Sequence, residues 1–249
     1  MFILESFPSS GQFLAPFLFA VTIYGLRYLA MATVGFLAAR AGLGRAHAGG
    51  LAGFDAWRHV RRELAYSGLT VVAFGLVNAA QFGWGWVEHS QLYLDPSAYP
   101  AWWFWLSILA MLLLHDTLFY WLHRAMHTRW LFRITHLVHH RSVHPTAYAA
   151  YSFHPAEAVG EALIVVAIIY LIPVNPLAFL IFQTISTAYN VYGHCGREFY
   201  PRGVASHWLG RWFNTSTAHA AHHARGRHNY GLYSLAWDRL MGTVDPAYK

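Results

Sequence analysis

The chain has 249 residues, of which 56% are hydrophobic, 17% aromatic and only 11% charged. About 25% of the residues in a soluble domain are charged, so this composition excludes an ordinary soluble domain and indicates a membrane protein. The single cysteine, Cys195, excludes an internal disulfide and a thiolate cluster. Any bound metal must therefore be held mainly by nitrogen and oxygen ligands.

Long apolar stretches follow one another along the chain. A helix needs about 20 apolar residues to cross a bilayer, and three stretches meet this requirement: residues 13–39, 64–87 and 101–122. A fourth apolar block, residues 159–194, is interrupted by Pro173 and Pro176, which leave arms of 14 and 18 residues. Because closely spaced prolines stop a helix, this block is expected to form a hairpin that dips into or just crosses the membrane.

The connecting segments predict one continuous domain. Residues 41–53, rich in Gly and Ala, are expected to form a flexible connector, and residues 57–62 a basic amphipathic segment along the membrane surface. A single membrane domain is predicted over 1–249, with a transmembrane part at 1–113 and a histidine-motif catalytic part at 114–249. The predicted fold class is all-α, an integral membrane bundle of three long helices plus the proline-broken hairpin, with a cytoplasmic histidine-rich helical cap.

Basic residues are distributed unevenly among the loops. They are concentrated after the first span, after the third span and after the hairpin, whereas residues 1–12 and 88–100 contain no Lys or Arg. The positive-inside rule therefore predicts that the amino terminus faces out and that the histidine-rich segments described below face the cytoplasm. The formal charge of +6 follows from this topology, and because aromatic interleaving is missing, no nucleic-acid partner is expected. Sixteen Arg to one Lys favours a GC-rich genome and a bacterial inner membrane.

Three histidine-dense segments stand out in this apolar sequence. On a helix, residues at i, i+3 and i+4 share a face, so each segment can direct two or three imidazoles at one point. The segments comprise His123 and His127, then His136, His139 and His140, and finally His219, His222 and His223. A ninth histidine, His194, ends the hairpin on the same side of the membrane.

This number of histidines indicates two metal ions. Imidazoles near an apolar phase would cost on the order of several kcal/mol if left unpaired, and eight are too many for one ion with about four to six ligands. Asn190, four residues before His194, shares its helical face, and its amide oxygen can reach a metal directly or hold a water on it. The alternative is that Asn190 only satisfies helix backbone near the membrane.

Other polar residues are interpreted as supporting or surface groups rather than as metal ligands. Asp116 lies seven residues before His123 on the same face, and is expected to accept the N–H of a metal-bound histidine. The alternative, direct ligation of a metal by Asp116, would require the helix to bend. His115 lies about 80° off that face and roughly 12 Å up the axis, which excludes it as a ligand. The remaining histidines are interpreted as capping or surface residues: His47, His59, His89, His144 and His207.

The order of these motifs resembles the fatty acid hydroxylase and sterol desaturase superfamily of integral-membrane di-iron oxygenases. The similarity extends over roughly residues 114–245, and includes the contexts of His154-Pro155 and Trp237-Asp238. The resemblance implies two irons held almost wholly by histidine, and a lipid substrate that enters from the bilayer. It also places further residues near the metals: His154, Glu157, His228 and Asp238. Tyr230 and Trp237 are expected to pack against the cap.

The resemblance implies O2-dependent hydroxylation or desaturation of a lipid, sterol-like or fatty-acyl. A metal with O2 suits this reaction, because an unactivated C–H bond needs an oxidant that no side chain provides. The sequence shows no flavin, haem or ferredoxin segment, so electrons are expected from a ferredoxin or a cytochrome b5-like protein with its reductase. Histidine also suits zinc, which purified samples can carry. The alternative is a non-redox zinc-binding membrane hydrolase or metal carrier, although the sequence has no H-E-x-x-H motif.

Overall fold

The computed structural model describes residues 10–47 and 55–248. Five long helices build the molecule: α1 (Ser10–Arg40), α2 (Asp55–Gly83), α3 (Ala101–Met126), α6 (Pro155–Leu171) and α7 (Pro176–His194). Four short helices complete it: α4 (Arg129–Leu131), α5 (Leu137–His140), α8 (Ser216–Arg225) and α9 (Ala236–Leu240). The predicted all-α class is confirmed. Three helices are long and apolar enough to cross a membrane: Gly11–Arg40, His59–Gly83 and Ala101–Met126.

The proline-broken hairpin also forms. Helix α6 ends at Leu171 and α7 begins at Pro176, where proline is tolerated because the first helical N–H has no partner within the helix. The Asn175 side chain accepts the N–H of Leu177 at 2.9 Å and caps α7. Two backbone hydrogen bonds tie the turn to the loop before α3: the Val174 N–H donates to the Gln91 carbonyl at 3.0 Å, and the Tyr93 N–H donates to the Val174 carbonyl at 3.1 Å. The turn of the hairpin is therefore held against the loop before α3.

Glycines allow α1 to pack closely on two neighbours. A Cβ at Gly75 of α2 would lie 2.6 Å from Val21 of α1, and a Cβ at Gly35 of α1 would lie 2.8 Å from Val191 of α7. Neither contact leaves room for a side chain, so both helix pairs depend on glycine at the crossing point. Helix α1 is consequently fixed against both α2 and the second arm of the hairpin.

Two predictions about the connectors are wrong. Residues 57–62 belong to the first turns of α2 rather than to a separate segment along the membrane surface. The supposed flexible connector is partly ordered, because β1 (Arg45–Ala46) pairs antiparallel with β2 (Arg197–Glu198). Its last residues, 48–53, lie outside the described part of the chain. A helix that is polar only in its first turns continues without a break, and two short strands need only a few backbone hydrogen bonds to pair.

The cap lies beyond the ends of α3 and α7. After α3 the chain forms α4, a π-helical turn over Phe132–His136, and then α5. Helix α8 begins after Thr215, whose hydroxyl accepts the N–H of Ala218, and it ends at Gly226 in the left-handed conformation with φ 66°. These short elements place the histidine-bearing helix ends next to one another.

Candidate metal centre

The nine predicted histidines converge in two adjacent groups. The five-histidine cluster consists of His123, His127, His136, His140 and His222. The four-histidine cluster consists of His139, His194, His219 and His223. In each cluster the candidate ligand atoms lie within 4.8 Å of one another. The structure thus divides the histidines into two ligand sets, as the count from the sequence required.

The division follows helical spacing in a way that the sequence left open. Residues four apart stay together: His136 and His140 join one cluster, and His219 and His223 join the other. The middle histidine of each segment lies in the other cluster. His139 joins His219 and His223, and His222 joins His136 and His140. Helical spacing allowed two or three imidazoles of each H-x-x-H-H segment to meet at one point, and in the structure two do. The third joins the other cluster, so each segment contributes to both clusters.

Burial keeps these imidazoles neutral. In five of them burial lowers the pKa well below the ordinary value, and neighbouring imidazoles lower that pKa further. These five are His136, His139, His219, His222 and His223. Burial also lowers the pKa of His127 to about 3 and that of His140 to about 4. A neutral imidazole carries the free lone pair that a metal requires. The clusters are therefore ready to bind cations at neutral pH.

The contacts between the rings fit a cation better than hydrogen bonding. The Nδ1 atom of His123 donates to the Tyr230 carbonyl at 2.8 Å, and Nδ1 of His136 donates to Glu157 Oε1 at 2.6 Å. Both neutral rings must then present an Nε2 lone pair, yet the two Nε2 atoms lie 3.0 Å apart. Two acceptors at this distance repel each other unless a cation lies against both. Nε2 of His127 is likewise buried without a hydrogen-bond partner.

The four-histidine cluster has the same arrangement around His194. Its Nδ1 donates to the Asn190 carbonyl at 2.7 Å, so its Nε2 is an acceptor. That Nε2 lies 3.1 Å from Nε2 of His139, 3.0 Å from Nε2 of His219 and 3.1 Å from Nε2 of His223. Four ring nitrogens around one point form the ligand set of a single metal ion. The residues of both clusters therefore fit the pair of cations that the resemblance implies.

Several groups outside the clusters hold the imidazoles in orientation. Glu157 orients His136, as the resemblance implied, and both side chains are only 2% exposed. His228 contributes through its main chain, because its carbonyl accepts Nδ1–H of His222 at 2.7 Å. Asp238 acts indirectly, because it accepts the N–H groups of Tyr230 and Gly231 at 2.9 Å. These hydrogen bonds hold in place the Tyr230 carbonyl to which His123 donates.

Two predicted neighbours lie elsewhere. Asp116 does not bond a cluster histidine within the described chain; it accepts the backbone N–H of Tyr233 at 2.8 Å and the hydroxyl of Ser234. It therefore holds the loop that contains Tyr230 instead of orienting an imidazole itself. The ring of His154 accepts the N–H of Ala156 at 3.2 Å and caps α6, which is a structural role. Helical spacing placed Asp116 on a suitable face and the resemblance placed His154 near the metals, but neither showed which backbone groups would meet them.

Asn190 has a defined contact but no demonstrated metal role. Its amide nitrogen donates to the Ala150 carbonyl at 2.8 Å, and its main-chain carbonyl orients His194. Ligation by its amide oxygen, directly or through water, stays a prediction. The excluded histidines are all outside the two clusters, and His115 instead pairs with the Tyr233 hydroxyl at 2.8 Å.

Tyr230 is the residue that sequence reasoning underestimated. Its ring lies 5.7 Å from that of His123 and 5.1 Å from that of His127, measured between centroids, in addition to the contact of its carbonyl with His123. The preceding Asn229 adopts a positive φ of 58°, and its amide nitrogen donates to the Ala218 carbonyl at 3.1 Å. A His-Asn-Tyr-Gly run after a histidine-rich helix is a detectable signal of such a tight loop.

Together these features define a helical membrane protein with two buried histidine clusters of metal-ligand geometry. The family described as "Fatty acid hydroxylase" matches residues 108–243, which is more than half of the chain and contains all nine histidines. The chain therefore belongs to the fatty acid hydroxylase family.

The curated relatives carry sterol-related names. Lathosterol oxidase from Rattus norvegicus is 29% identical over 157 residues, which covers 62% of this chain and 51% of the relative. The Delta(7)-sterol 5(6)-desaturase from Schizosaccharomyces pombe is 31% identical over 137 residues, covering 55% and 39%. Human lathosterol oxidase is 27% identical over 186 residues, covering 74% and 60%.

This similarity covers only part of each relative. The chain spans about half the length of the curated relatives it matches. These relatives come from animals and fungi, so they give no support to the predicted bacterial inner membrane. No solved structure matches the chain.

Proposed function

We propose that the chain is a membrane di-iron oxygenase that uses O2 and externally supplied electrons to hydroxylate or desaturate a lipid. The observation that carries the proposal is the approach of paired Nε2 lone pairs to about 3 Å in two adjacent clusters. The family membership and the sterol-related names of the relatives support a redox reaction on a lipid. Zinc satisfies the same ligands, so the metal identity is part of the proposal.

The nine histidines are assigned as ligands in the two sets described above. The five-histidine cluster would hold one ion and the four-histidine cluster the other, with Asn190 supplying a water-mediated ligand to the second. Iron bound there would supply, with O2, the oxidising power to attack an unactivated C–H bond. The chain contributes the rest: Glu157 fixes the ring of His136, and Asp238 fixes the loop that orients His123.

Electrons must come from another protein. Hydroxylation consumes O2, two electrons and two protons and releases one water, whereas desaturation releases two, so both reactions need a reductant. Exposed arginines surround the cap: Arg129, Arg133, Arg141, Arg202, Arg211, Arg225 and Arg227. Such a basic face favours encounter with an acidic donor such as a ferredoxin or a cytochrome b5-like protein.

The substrate is proposed to be sterol-like or fatty-acyl and to approach from the membrane. The side of His123 that faces the membrane-spanning part of α3 is apolar, and the ring of Phe119 lies 5.1 Å from the His123 ring. Phe119 belongs to a buried apolar cluster with Phe182, Ile164 and Ile168. Apolar side chains next to the histidines suit a hydrocarbon and exclude bulk water.

The test combines metal spectroscopy with turnover. Protein produced with iron-57 is expected to give the Mössbauer signal of a coupled di-iron centre, and to consume O2 in membranes only when reductant, donor protein and substrate are all present. Lipid extracts of producing cells should show a mass change of about +16 or −2 in one lipid class, which distinguishes hydroxylation from desaturation. Replacing the exposed His207 by Ala provides a control that retains signal and turnover. Iron-loaded protein that consumes no O2 with reductant, donor protein and substrate all present would overturn the proposal.

A further inference from the structure

A large cavity lies beside α8, on the face of that helix turned away from the histidine clusters. Its volume is about 970 Å³. Small side chains of α8 line it: Thr217, Ala220, Ala221 and Ala224. The histidines of α8 lie on the other face of the helix and belong to the two clusters: His219, His222 and His223. The cavity is therefore distinct from the metal centre, and the proposed chemistry leaves it unused.

Arginines from three elements line this cavity, which we call the basic cavity. Arg40 is the last residue of α1, Arg45 lies in β1 and Arg197 lies in β2. The two strands pair with each other, and Nη1 of Arg197 donates to the carbonyl of Gly44, the neighbour of Arg45, at 3.4 Å. Among the described side chains, none of the three arginines forms an ion pair. Three arginines are thus brought to one cavity without an acidic partner.

One carboxylate also lines the basic cavity, but neutral donors already satisfy it. Glu198 is 5% exposed. Its oxygens accept four hydrogen bonds, from the Tyr192 hydroxyl at 2.5 Å, the Tyr200 N–H at 3.0 Å, and the N–H and hydroxyl of Thr217 at 3.1 Å and 2.7 Å. With histidines counted as neutral, three unpaired arginines against one carboxylate leave an excess of two positive charges. Such an excess attracts an anion.

An apolar groove of about 410 Å³ adjoins the basic cavity and runs between α1 and α7. One face of α1 lines it over about 12 Å of the helix axis: Ala30, Met31, Val34, Gly35 and Ala38. These residues lie inside the candidate membrane span Gly11–Arg40, whereas Arg40 at the basic cavity ends that span. Cys195 lines both the groove and the cavity. An apolar surface at the depth of the acyl chains therefore continues into a basic one where the span ends.

We propose that the basic cavity and the apolar groove together bind one anionic phospholipid, with its phosphate against Arg45 and Arg197 and an acyl chain in the groove. Guanidinium groups match the oxygens of a phosphate in charge and geometry. Basic pockets between membrane helices bind anionic lipid headgroups in this way. A water-soluble phosphate has the same charge but nothing to fill the groove. Neither the metals nor the redox step of the proposed function enters this site.

The bound lipid would join two parts of the chain. Arg40 and Arg45 precede the region that matches the family, residues 108–243, whereas Arg197 lies inside it. Gly193 also lines the basic cavity, and a Cβ there would lie 3.3 Å from the His219 ring, so the cavity wall adjoins the four-histidine cluster. A ligand that binds only the folded chain raises its thermal midpoint. The lipid is therefore expected to stabilise the packing of α1 against the cap.

The experiment compares two lipids that differ in headgroup charge. Metal-loaded protein, stripped of lipid in an uncharged detergent, is titrated with dioleoyl phosphatidylglycerol or dioleoyl phosphatidylcholine, and native mass spectrometry counts the lipids that stay bound. The wild-type protein is expected to retain one phosphatidylglycerol with about tenfold higher affinity than phosphatidylcholine, and to gain thermal stability from it. Arg45→Gln and Arg197→Gln should each reduce that preference severalfold. Arg45→Lys keeps the charge and should retain most of it.

The controls separate the headgroup from the chain. Arg61→Gln removes an exposed arginine of α2 that does not line the basic cavity, and should leave the preference unchanged. Val34→Trp fills the groove and should weaken both lipids by a similar factor, while metal content reports folding in every variant. A wild-type protein without headgroup preference would overturn the inference, and so would a preference that survives in the Arg45→Gln, Arg197→Gln double variant. Displacement by an equal concentration of glycerophosphoglycerol, the headgroup without chains, would exclude a phospholipid as the occupant.

Discussion

Glu157 Oε1 accepts Nδ1–H of His136 at 2.6 Å, and both side chains are 2% exposed. The two residues belong to different elements, the first turn of α6 and the π-helical turn before α5. Because the carboxylate accepts the Nδ1 proton, the tautomer of His136 is fixed and its Nε2 is directed into the five-histidine cluster. One contact thereby couples the membrane hairpin to the metal ligands.

Replacing Glu157 by Gln should weaken the five-histidine cluster selectively. The amide cannot accept the proton as strongly as a carboxylate, so metal affinity is expected to fall about 10-fold to 100-fold. Metal content measured during dialysis against a graded chelator series checks this. The matched control is Glu88→Gln, which changes an exposed carboxyl. Equal retention of metal in both variants would contradict a role for the contact.

The two clusters should respond differently to single histidine substitutions. His139→Ala leaves three histidines in its cluster, whereas His222→Ala leaves four in the other. Both variants should lose activity, but His139→Ala is expected to lose about one of the two ions and His222→Ala to retain both more weakly. Metal stoichiometry by elemental analysis distinguishes the outcomes. A uniform loss of both ions in the two variants would show that the clusters bind as one unit.

The metal-free protein should lose stability on acidification. The pKa values of His127 and His140 are lowered to about 3 and about 4, below the ordinary value of about 6.5. The unfolded chain therefore binds more protons between these values, so the stability contributed by the neutral rings is complete above about pH 6.5 and is lost as pH falls toward 4. The thermal midpoint of chelated protein in detergent, followed from about pH 8 to 5, should decrease. A rising midpoint would refute this account.

Gly231 should not tolerate a side chain. A Cβ at this position would lie 1.9 Å from the Ser234 carbonyl and 3.2 Å from Asp238 Oδ2. Gly231→Ala should therefore displace the loop that orients His123, destabilise the protein by about 1–3 kcal/mol and reduce metal content. Gly68→Ala is the control: its Cβ meets nothing within 4 Å on α2, so stability should be unchanged or raised by up to about 1 kcal/mol. Thermal unfolding of both variants provides the comparison.

The predicted cytoplasmic orientation of the histidines can be tested with introduced cysteines. Cys195, the natural cysteine, is 5% exposed and should give little background labelling. Ala98→Cys lies in the loop that lacks basic residues, and Ala205→Cys lies in the cap; both positions are exposed. A membrane-impermeant thiol reagent should label the first in intact cells and the second only after permeabilisation. The opposite pattern would reverse the predicted orientation.

The sequence determined the features that depend on local geometry. Apolar runs define the spans, and Pro173 and Pro176 divide the fourth apolar block into the two arms of the hairpin. Residues four apart on a helix fall on one face, whatever the helix packs against. For this reason the spacing alone was enough to pair His123 with His127, and His219 with His223. The same rule left open whether the third histidine of each H-x-x-H-H segment would join the other two.

The tertiary structure decided which groups meet across the chain. Whether His139 faces its own helical neighbours or the histidines of α8 depends on how α5, α7 and α8 are packed, and local spacing carries no information on that. The partner of Asp116 is a loop 117 residues away, and that of Glu157 is a histidine 21 residues before it. Spacing within a helix fixed the candidate ligands, whereas only packing between helices sorted them into two clusters and selected the groups that orient them.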